Sequence, residues 1–287
     1  MLDLPFNPPI QELCFEPFNK FGCKVFMQRD DILHPFISGN KWRKLKYVIH
    51  DAKEKQCHTL ISFGGAYSNH LIALACAGAT YGFKTIGFVR GEEVNNQLLS
   101  LCKWYGMHLI FTSRDSYKNK QQLYLDFIKQ QQGFYFIDEG GKGELAVAGC
   151  EEILYKTEFN FSHVLCAVGT GTTLAGLSKQ AKRFGMKAEG VCVLKGEGLI
   201  DDEINTIAGD VVHVHHGFHH GGYAKTSPEL LLFMQELAAT TGVLTDQVYT
   251  GKLCYAVAVL IQQQYFPEHS KILLIHTGGL LGAMSMF

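Results

Sequence analysis

No Cys-x-x-Cys pair occurs in this chain, although it carries nine cysteines. Their number is odd, they are widely spaced, and several sit inside apolar runs such as Cys166 in "HVLCAV". A disulfide framework and a thiolate zinc site are therefore not expected, and the thiols read as reduced and mostly buried. Charge of one sign is lacking too. The net charge of −1 gives no electrostatic reason to expect nucleic acid or an anionic membrane as partner. No apolar run is long enough to span a bilayer. The opening "MLDLPFNPPIQEL" lacks the basic start and apolar stretch of a signal peptide, so a cytoplasmic location is expected. Repeats, low-complexity tracts and Pro/Ser linkers are also missing, so no linker marks a domain edge.

What is present is an alternation. Among 287 residues, 47% are hydrophobic and 18% charged, enough for a sizeable core. Short apolar runs at 24–29, 59–63, 84–89, 107–112, 163–168, 188–194, 210–215 and 271–276 read as strands. Amphipathic stretches at 39–56, 67–82, 95–106, 116–132, 143–157, 172–184, 227–242 and 251–266 read as helices, the seventh opened by Ser227 and Pro228. Continuous apolar strands alternating with helices predict α/β architecture with mostly parallel sheets covered on both faces. Such sheets bind ligands in the loops beyond the carboxyl ends of their strands.

Four of those loops are unusually equipped. In "FGGAYSNHLIALA" (63–75), Ser68, Asn69 and His70 open a helix whose unpaired N–H groups would suit a substrate carboxylate; Ser68 or Asn69 could equally be a plain N-cap. In "HVLCAVGTGTTLAGL" (163–177), Gly169, Thr170, Gly171, Thr172 and Thr173 follow a buried strand. The glycines admit an anion close to backbone amides and the hydroxyls add donors, as for one phosphate monoester. A tight turn is the other reading. The loop is not G-x-x-x-x-G-K-[ST] and does not complete G-x-G-x-x-G, so nucleotide binding is not expected. In "LTDQVYTGKL" (244–253), Tyr249 could act as acid or base if its pKa is lowered, or merely pack. In "ILLIHTGGLLG" (272–282), Gly278-Gly279 would let a flat ligand lie on the backbone, beside one neutral hydroxyl on Thr277.

These parts, with "SGNKWRKLKYVI" (38–49), are what pyridoxal 5′-phosphate requires: a lysine to hold its aldehyde, an anchor for its phosphate and a partner for its ring nitrogen. Lys41 is the candidate lysine, since it follows Gly39-Asn40 at a helix start and can point into a cleft. Lys44 and Lys46 read as a solvated face. Asn40 could bond the cofactor's phenolic oxygen.

The chain resembles the 1-aminocyclopropane-1-carboxylate deaminase and D-cysteine desulfhydrase family, within the tryptophan-synthase-β-like, fold type II group of pyridoxal-phosphate enzymes. The stretches that carry the resemblance are "QRDDILHPFISGNKWRKLKY", "FGGAYSNH", "VGTGTTLAGL", "GGYAK", "DQVYTGK" and "HTGG", in the family's order from residue 28 onward. The resemblance implies Lys41 as the cofactor-bearing lysine, Asn40 as a cofactor contact, and Ser68, Asn69 and His70 as carboxylate ligands. It implies residues 169–173 for the phosphate, Tyr249 as acid/base or orienting group, and Thr277 at the pyridine nitrogen. It further implies two three-layer α/β domains, a larger one from 1–48 and 140–287 and a smaller inserted one at 49–139, and a homodimer.

Relatives that open the cyclopropane ring tend to carry Glu after the active-site Tyr and Leu before Gly-Gly, whereas desulfhydrases tend to carry Thr at both. Thr250 and Thr277 therefore favour α,β-elimination of D-cysteine, with Thr250 near the substrate. On this reading Lys41 takes the α proton, the β thiolate leaves, and the remainder hydrolyses to pyruvate and ammonia. Deaminase activity and a non-catalytic cofactor-binding protein are the alternatives. Tyr67 stands where the family often has Gln, which bears on the substrate pocket. "HVHHGFHH" carries His213, His215, His216, His219 and His220, a possible zinc or nickel tract. With no Cys or carboxylate evident beside it, no metal site is expected.

Overall fold

The computed structural model describes residues 7–154, 160–196, 198 and 200–283. A short β1 (Ile10–Glu12) precedes β2 (Lys24–Gln28), which leads to α1 (Asn40–Glu54). Then come β3 (Thr59–Gly64), α2 (Asn69–Tyr81), β4 (Lys84–Arg90), α3 (Gln97–Trp104), β5 (His108–Thr112), α4 (Lys120–Ile128) and β6 (Phe134–Phe136). The chain continues through α5 (Glu144–Glu151), β7 (His163–Val168), α6 (Thr172–Arg183), β8 (Lys187–Cys192), α7 (Asp201–Ala208) and β9 (His213–His215). It closes with α8 (Pro228–Thr241), α9 (Thr250–Gln262), β10 (Lys271–Ile275) and α10 (Leu280–Ala283).

The strands form two sheets, in the orders β1-β2-β10-β7-β8-β9 and β5-β4-β3-β6. Every pairing is parallel except β1 with β2, where Gln11 faces Met27. The apolar runs read from the sequence are buried on both faces because both faces are covered. Val25, Met27, Leu165, Ala167, Ile272 and Leu274 pack toward α8 and α9. Their neighbours Phe26, Val164, Cys166, Val168, Leu273 and Ile275 pack the other way, against α5, α6 and α7. The four-stranded sheet repeats this arrangement. Leu60 and Val89 join a core with α1, α2 and α3, while Ile61, Phe63, Ile86 and Phe88 face Tyr117 and α4. The fold is thus two three-layer α/β units with mostly parallel sheets.

The differences from the sequence reading are local. The stretch at 116–132 is not one helix: a 3₁₀ turn at Ser116–Lys118 is followed by α4, capped by Asn119, which accepts from Gln122 N. The helix read over 143–157 stops at Glu151, and residues 155–159 lie outside the described residues. The strand read over 210–215 keeps only its last three residues. Helix α7 went unread although Ile200, Ile204 and Ala208 recur at four-residue spacing and are buried. Of the cysteines, all but Cys14 and Cys57 are buried, and none is in a disulfide.

Candidate active site

Helix α1 starts in the cleft between the sheets because the segment before it is tied down. Arg29 grips both carboxylate oxygens of Asp31, at 2.8 and 2.7 Å, and Arg43 reaches Asp30 at 3.2 Å. Gln28 also donates to Asp30, at 2.8 Å. Asp30 O then accepts from Gly39 N at 2.8 Å, and Thr277 O accepts from Asn40 N at 3.4 Å. Gly39 has a φ of 60°, and a Cβ there would fall 2.0 Å from Thr277 O, so only glycine fits between the helix start and the turn after β10.

Lys41 lies in the first turn of α1 and opens on a cavity of about 470 Å³ that it shares with Asn69, Thr277, Gly279, Ser38 and His34. Its Nζ has no hydrogen-bond partner among the described residues. Burial, and then the charge of Lys44, hold its pKa well below that of an ordinary lysine. Asn40 turns the other way, its Nδ2 donating to Thr173 Oγ1 at 2.9 Å.

Lys44 is not part of a solvated face. It is 2% exposed, and its Nζ reaches Gly140 O at 3.2 Å and Thr170 Oγ1 at 3.4 Å. Its pKa is lowered by burial, and no carboxylate lies within ion-pair distance among the described residues. Only Lys46 reaches the rim, where it pairs with Glu152 at 2.7 Å. Helical spacing put Lys44 beside the apolar Trp42 and Leu45; a lone cation there was read as solvent-facing because single-helix periodicity does not show what α5 and the glycine turn after β6 cover. Gly149 is the signal for that covering. A Cβ on it would lie 1.8 Å from Arg43 O, so α5 meets α1 backbone to backbone.

The Gly/Thr loop follows β7 and opens α6. Gly171, at φ 74°, leaves no room for a side chain, since a Cβ would meet Ile204 at 2.6 Å. Gly169 brings the loop against Tyr249, whose Cε1 would be 3.1 Å from a Cβ there. The hydroxyls of Thr170 and Thr172 are 3.3 Å apart, and Thr172 and Thr173 are buried. A buried, anionless ammonium thus points into a loop of helix-start amides and hydroxyls. That is the observation the site offers for a phosphate, and the residues fit one.

Ser68 is the N-cap of α2, its Oγ accepting from Leu71 N at 3.3 Å, while its own proton makes no hydrogen bond among the described residues. Asn69 lines the Lys41 cavity, but the fully buried His70 does not. Ser62 Oγ donates to Ile137 O and therefore accepts from His70 Nε2, each at 2.8 Å. That leaves His70 Nδ1 without a partner, facing Gly141 and Lys44. Burial and the two lysine charges push its pKa well down, so the ring is neutral. As a carboxylate ligand His70 is displaced by this geometry.

Tyr249 caps the start of α9, and its Oη donates to Tyr223 Oη at 3.3 Å. Burial, with the neighbouring Tyr223, raises its pKa well above the usual value. The phenol therefore stays protonated and is a donor, rather than the low-pKa base considered from sequence. Tyr223 is a residue the sequence reading did not single out, although the "GGYAK" stretch carries it. Thr250 is not in the cavity. It is fully buried, and its hydroxyl donates to Asp246 Oδ1 at 2.7 Å and accepts from Asp246 N at 3.0 Å.

The histidines of 213–220 disperse. His215 bonds Glu189 at 2.7 Å, His216 meets Asp201 at 3.1 Å, and His220 meets Ser227 at 2.9 Å. Among the described residues, no group of three or more His, Cys, Asp or Glu is placed to hold a metal ion. Nor is any helix long and apolar enough to cross a membrane. Tyr67, the departure from the family's Gln, is 58% exposed at the mouth of the Ser68 loop.

Comparison with known proteins gives a consistent picture. The family described as "Pyridoxal-phosphate dependent enzyme" matches residues 7–278. A protein of Thermotoga maritima, provisionally named a 1-aminocyclopropane-1-carboxylate deaminase, is 29% identical over 98% of this chain and 96% of its own length. The Arabidopsis thaliana "bifunctional D-cysteine desulfhydrase/1-aminocyclopropane-1-carboxylate deaminase, mitochondrial" is 30% identical over 91% of this chain and 73% of its own. Among solved structures, one titled as an ACC deaminase homologue superimposes with a TM-score of 0.87 at 26% identity, covering 99% of this chain and 95% of that one.

Proposed function

This chain belongs to the pyridoxal-phosphate-dependent enzymes, and from that premise we propose that it cleaves D-cysteine to pyruvate, sulfide and ammonia by α,β-elimination. One observation carries the cofactor chemistry of the proposal: a pKa-depressed Lys41, whose Nζ has no partner among the described residues, opens on the same cavity as Asn69 and Thr277, with the Lys44–threonine anion cradle next to it.

Pyridoxal phosphate, when bound, supplies the electron sink for charge left on the substrate's α carbon. Gly169, Thr170, Gly171, Thr172 and Thr173 would hold its phosphate, with Lys44 as the countercharge. Lys41 would hold the cofactor's aldehyde, and its lowered pKa suits its amine to accept the substrate's α proton. Asn69 and Ser68 orient the substrate carboxylate at the start of α2. Tyr249 holds a proton on its phenol beside the substrate, and Tyr223 fixes that phenol. Thr277 offers the ring nitrogen a neutral partner, which does not favour a protonated ring as a carboxylate would. With such a partner, charge at the α carbon would be spread less fully, which would favour prompt loss of a β thiolate. The cyclopropane substrate has no such leaving group.

The substrate-proximal role given to Thr250 does not carry over, because Asp246 uses its hydroxyl. The argument for D-cysteine therefore rests on Thr277 and on the bifunctional relative. The domain reading, 1–48 with 140–287 and 49–139, is supported by strand membership of the two sheets. Its first boundary falls within α1, whose Trp42, Leu45 and Ile49 join the core of the four-stranded sheet. A homodimer, on the family resemblance, and a cytoplasmic location, on cysteines that are free of disulfides, complete the proposal; light scattering tests the dimer.

The deciding experiment gives cofactor-loaded protein D-cysteine and, in parallel, 1-aminocyclopropane-1-carboxylate. Pyruvate with sulfide from D-cysteine alone is the expected result. Oxobutyrate from the cyclopropane substrate would replace the elimination reading with the deaminase one. A second expected result concerns the cradle. Lys44→Met weakens cofactor binding roughly 10- to 100-fold, the loss of a charged hydrogen-bond donor. It also raises the pKa of Lys41, because the like charge that opposes protonation is gone, and so moves the acid limb of the pH–rate profile upward. Equilibrium dialysis with that profile checks both; unchanged affinity and an unmoved limb would remove Lys44 from the phosphate site.

A further inference from the structure

The "DQVYTGK" stretch contains a lysine that the proposed chemistry does not use. Lys252 lies in the first turn of α9, three residues after Tyr249, and is fully buried. Its Nζ donates to His219 O at 2.8 Å and to Gly222 O at 2.9 Å. Both carbonyls belong to the turn between β9 and α8, immediately before Tyr223.

That turn is tightly wound. Gly222 N donates back to His219 O at 3.1 Å. His220, Gly221 and Gly222 have φ of 49°, 98° and 124°, and Ala224 has 55°. Two of these are non-glycine residues in the left-handed region, a conformation that persists only where its surroundings impose it. The other restraints carry no ammonium: His219 Nδ1 accepts from Gly221 N at 3.0 Å, His220 Nδ1 meets Ser227 Oγ at 2.9 Å, the His220 ring packs edge-on against Tyr255, and Lys225 N donates to Gly222 O at 3.1 Å. Carbonyls converging on a buried ammonium are a charge-assisted arrangement, stronger than neutral bonds of the same length.

We infer that Lys252 is a positioning residue whose ammonium clamps the 219–222 turn in its wound form and so delivers the Tyr223 hydroxyl to Tyr249. This rests on the reading above that the tyrosine pair faces substrate. The groups facing Lys252 are Asp246 from its own loop and His219 and His220 from the turn, with Glu229 of α8 beside His220. Burial outweighs Asp246 and lowers the pKa of Lys252 to about 8, so the clamp is charged at neutral pH. Because the folded pKa lies below that of a free lysine, burying the charge costs stability at neutral pH. That cost fades as pH rises from about 8 toward 10.5.

The test uses holoenzyme and the variants Lys252→Met, Tyr223→Phe and their combination. Lys252→Met should leave Tm within a few degrees. Trypsin should then cut after the exposed Lys225 at least about tenfold faster, since opening the turn exposes the site. It should lower kcat roughly tenfold or more. In the Tyr223→Phe background the same change should lower kcat less than about twofold, because the two act through one contact. Unchanged cleavage, or losses in kcat that multiply fully in the double variant, would overturn the clamp. Should Lys252→Met fail to fold, Lys252→Gln, which keeps N–H donors, is read by the same two measurements. A wild type that turns over no substrate would count against the proposed activity, while cleavage at Lys225 would still decide the clamp.

Discussion

Lys41→Ala is expected to lower oxo-acid release by at least about a thousandfold, the combined loss of a covalent anchor and a proton acceptor. Its Tm should stay close to that of the wild type. The two expectations follow from the same geometry. The Nζ of Lys41 makes no hydrogen bond among the described residues, and its pKa is pushed down by burial and by Lys44. Deleting that ammonium therefore breaks no hydrogen bond among the described residues and relieves the burial of a charge. The depressed pKa also means the free base is available nearer neutral pH than for a surface lysine. Lys41→Arg, whose guanidinium cannot release its proton, should be as inactive as the alanine variant. Borohydride reduction of the holoenzyme followed by peptide mass spectrometry should place the cofactor on the peptide containing Lys41. Full-rate turnover by Lys41→Ala, or a label on Lys44, would move the chemistry to another residue.

Much of this site could be read from the sequence because its elements are local. Gly39 marks the start of α1, and the glycines after β7 and β10 mark strand-end turns. Ser68, Thr170 and Thr277 fall in the turns beyond the carboxyl ends of parallel strands, where the fold class predicts ligands, and Lys41 opens the helix that follows β2. Lys44, Tyr223 and Lys252 escaped because their roles depend on partners about 30 to 130 residues away: Gly140 and Thr170 for the first, Tyr249 for the second, His219 and Gly222 for the third. Helical periodicity places a lysine on a face but does not say what packs on that face. Thr250 failed in the opposite direction. A hydroxyl beside a site tyrosine looks available in sequence, yet the helix start it belongs to needed it as part of a cap. His70 likewise follows Ser68 and Asn69 in sequence but points the other way, since consecutive residues of a helix do not share a face.

The cap explains the second large effect. Asp246 is buried, with 1% exposure, and its carboxylate accepts four hydrogen bonds. Val248 N and Tyr249 N donate to Oδ2 at 3.0 and 2.9 Å; Thr250 N and Thr250 Oγ1 donate to Oδ1 at 2.9 and 2.7 Å. It therefore satisfies the orphan amides at the start of α9 and fixes the backbone of Tyr249. It also touches the far wall of the cavity, since a Cβ on Gly279 would lie 3.1 Å from Asp246 Cγ and 3.3 Å from Asn69 Nδ2. Asp246→Ala strands three amides at once, that of Thr250 buried and those of Val248 and Tyr249 partly so. The expected cost is about 2–4 kcal/mol, a fall in Tm of roughly 5–15 °C. Asp246→Asn, which keeps one acceptor oxygen, should lose less. At a temperature where the alanine variant is still folded, kcat should drop by about tenfold or more, because the Tyr249 phenol is no longer held against Gly169 and Tyr223. Calorimetry and turnover of the two variants check this. A Tm within two or three degrees of wild type for Asp246→Ala would show that α9 starts without its cap. An unchanged kcat would show that Tyr249 reaches the substrate independently of it.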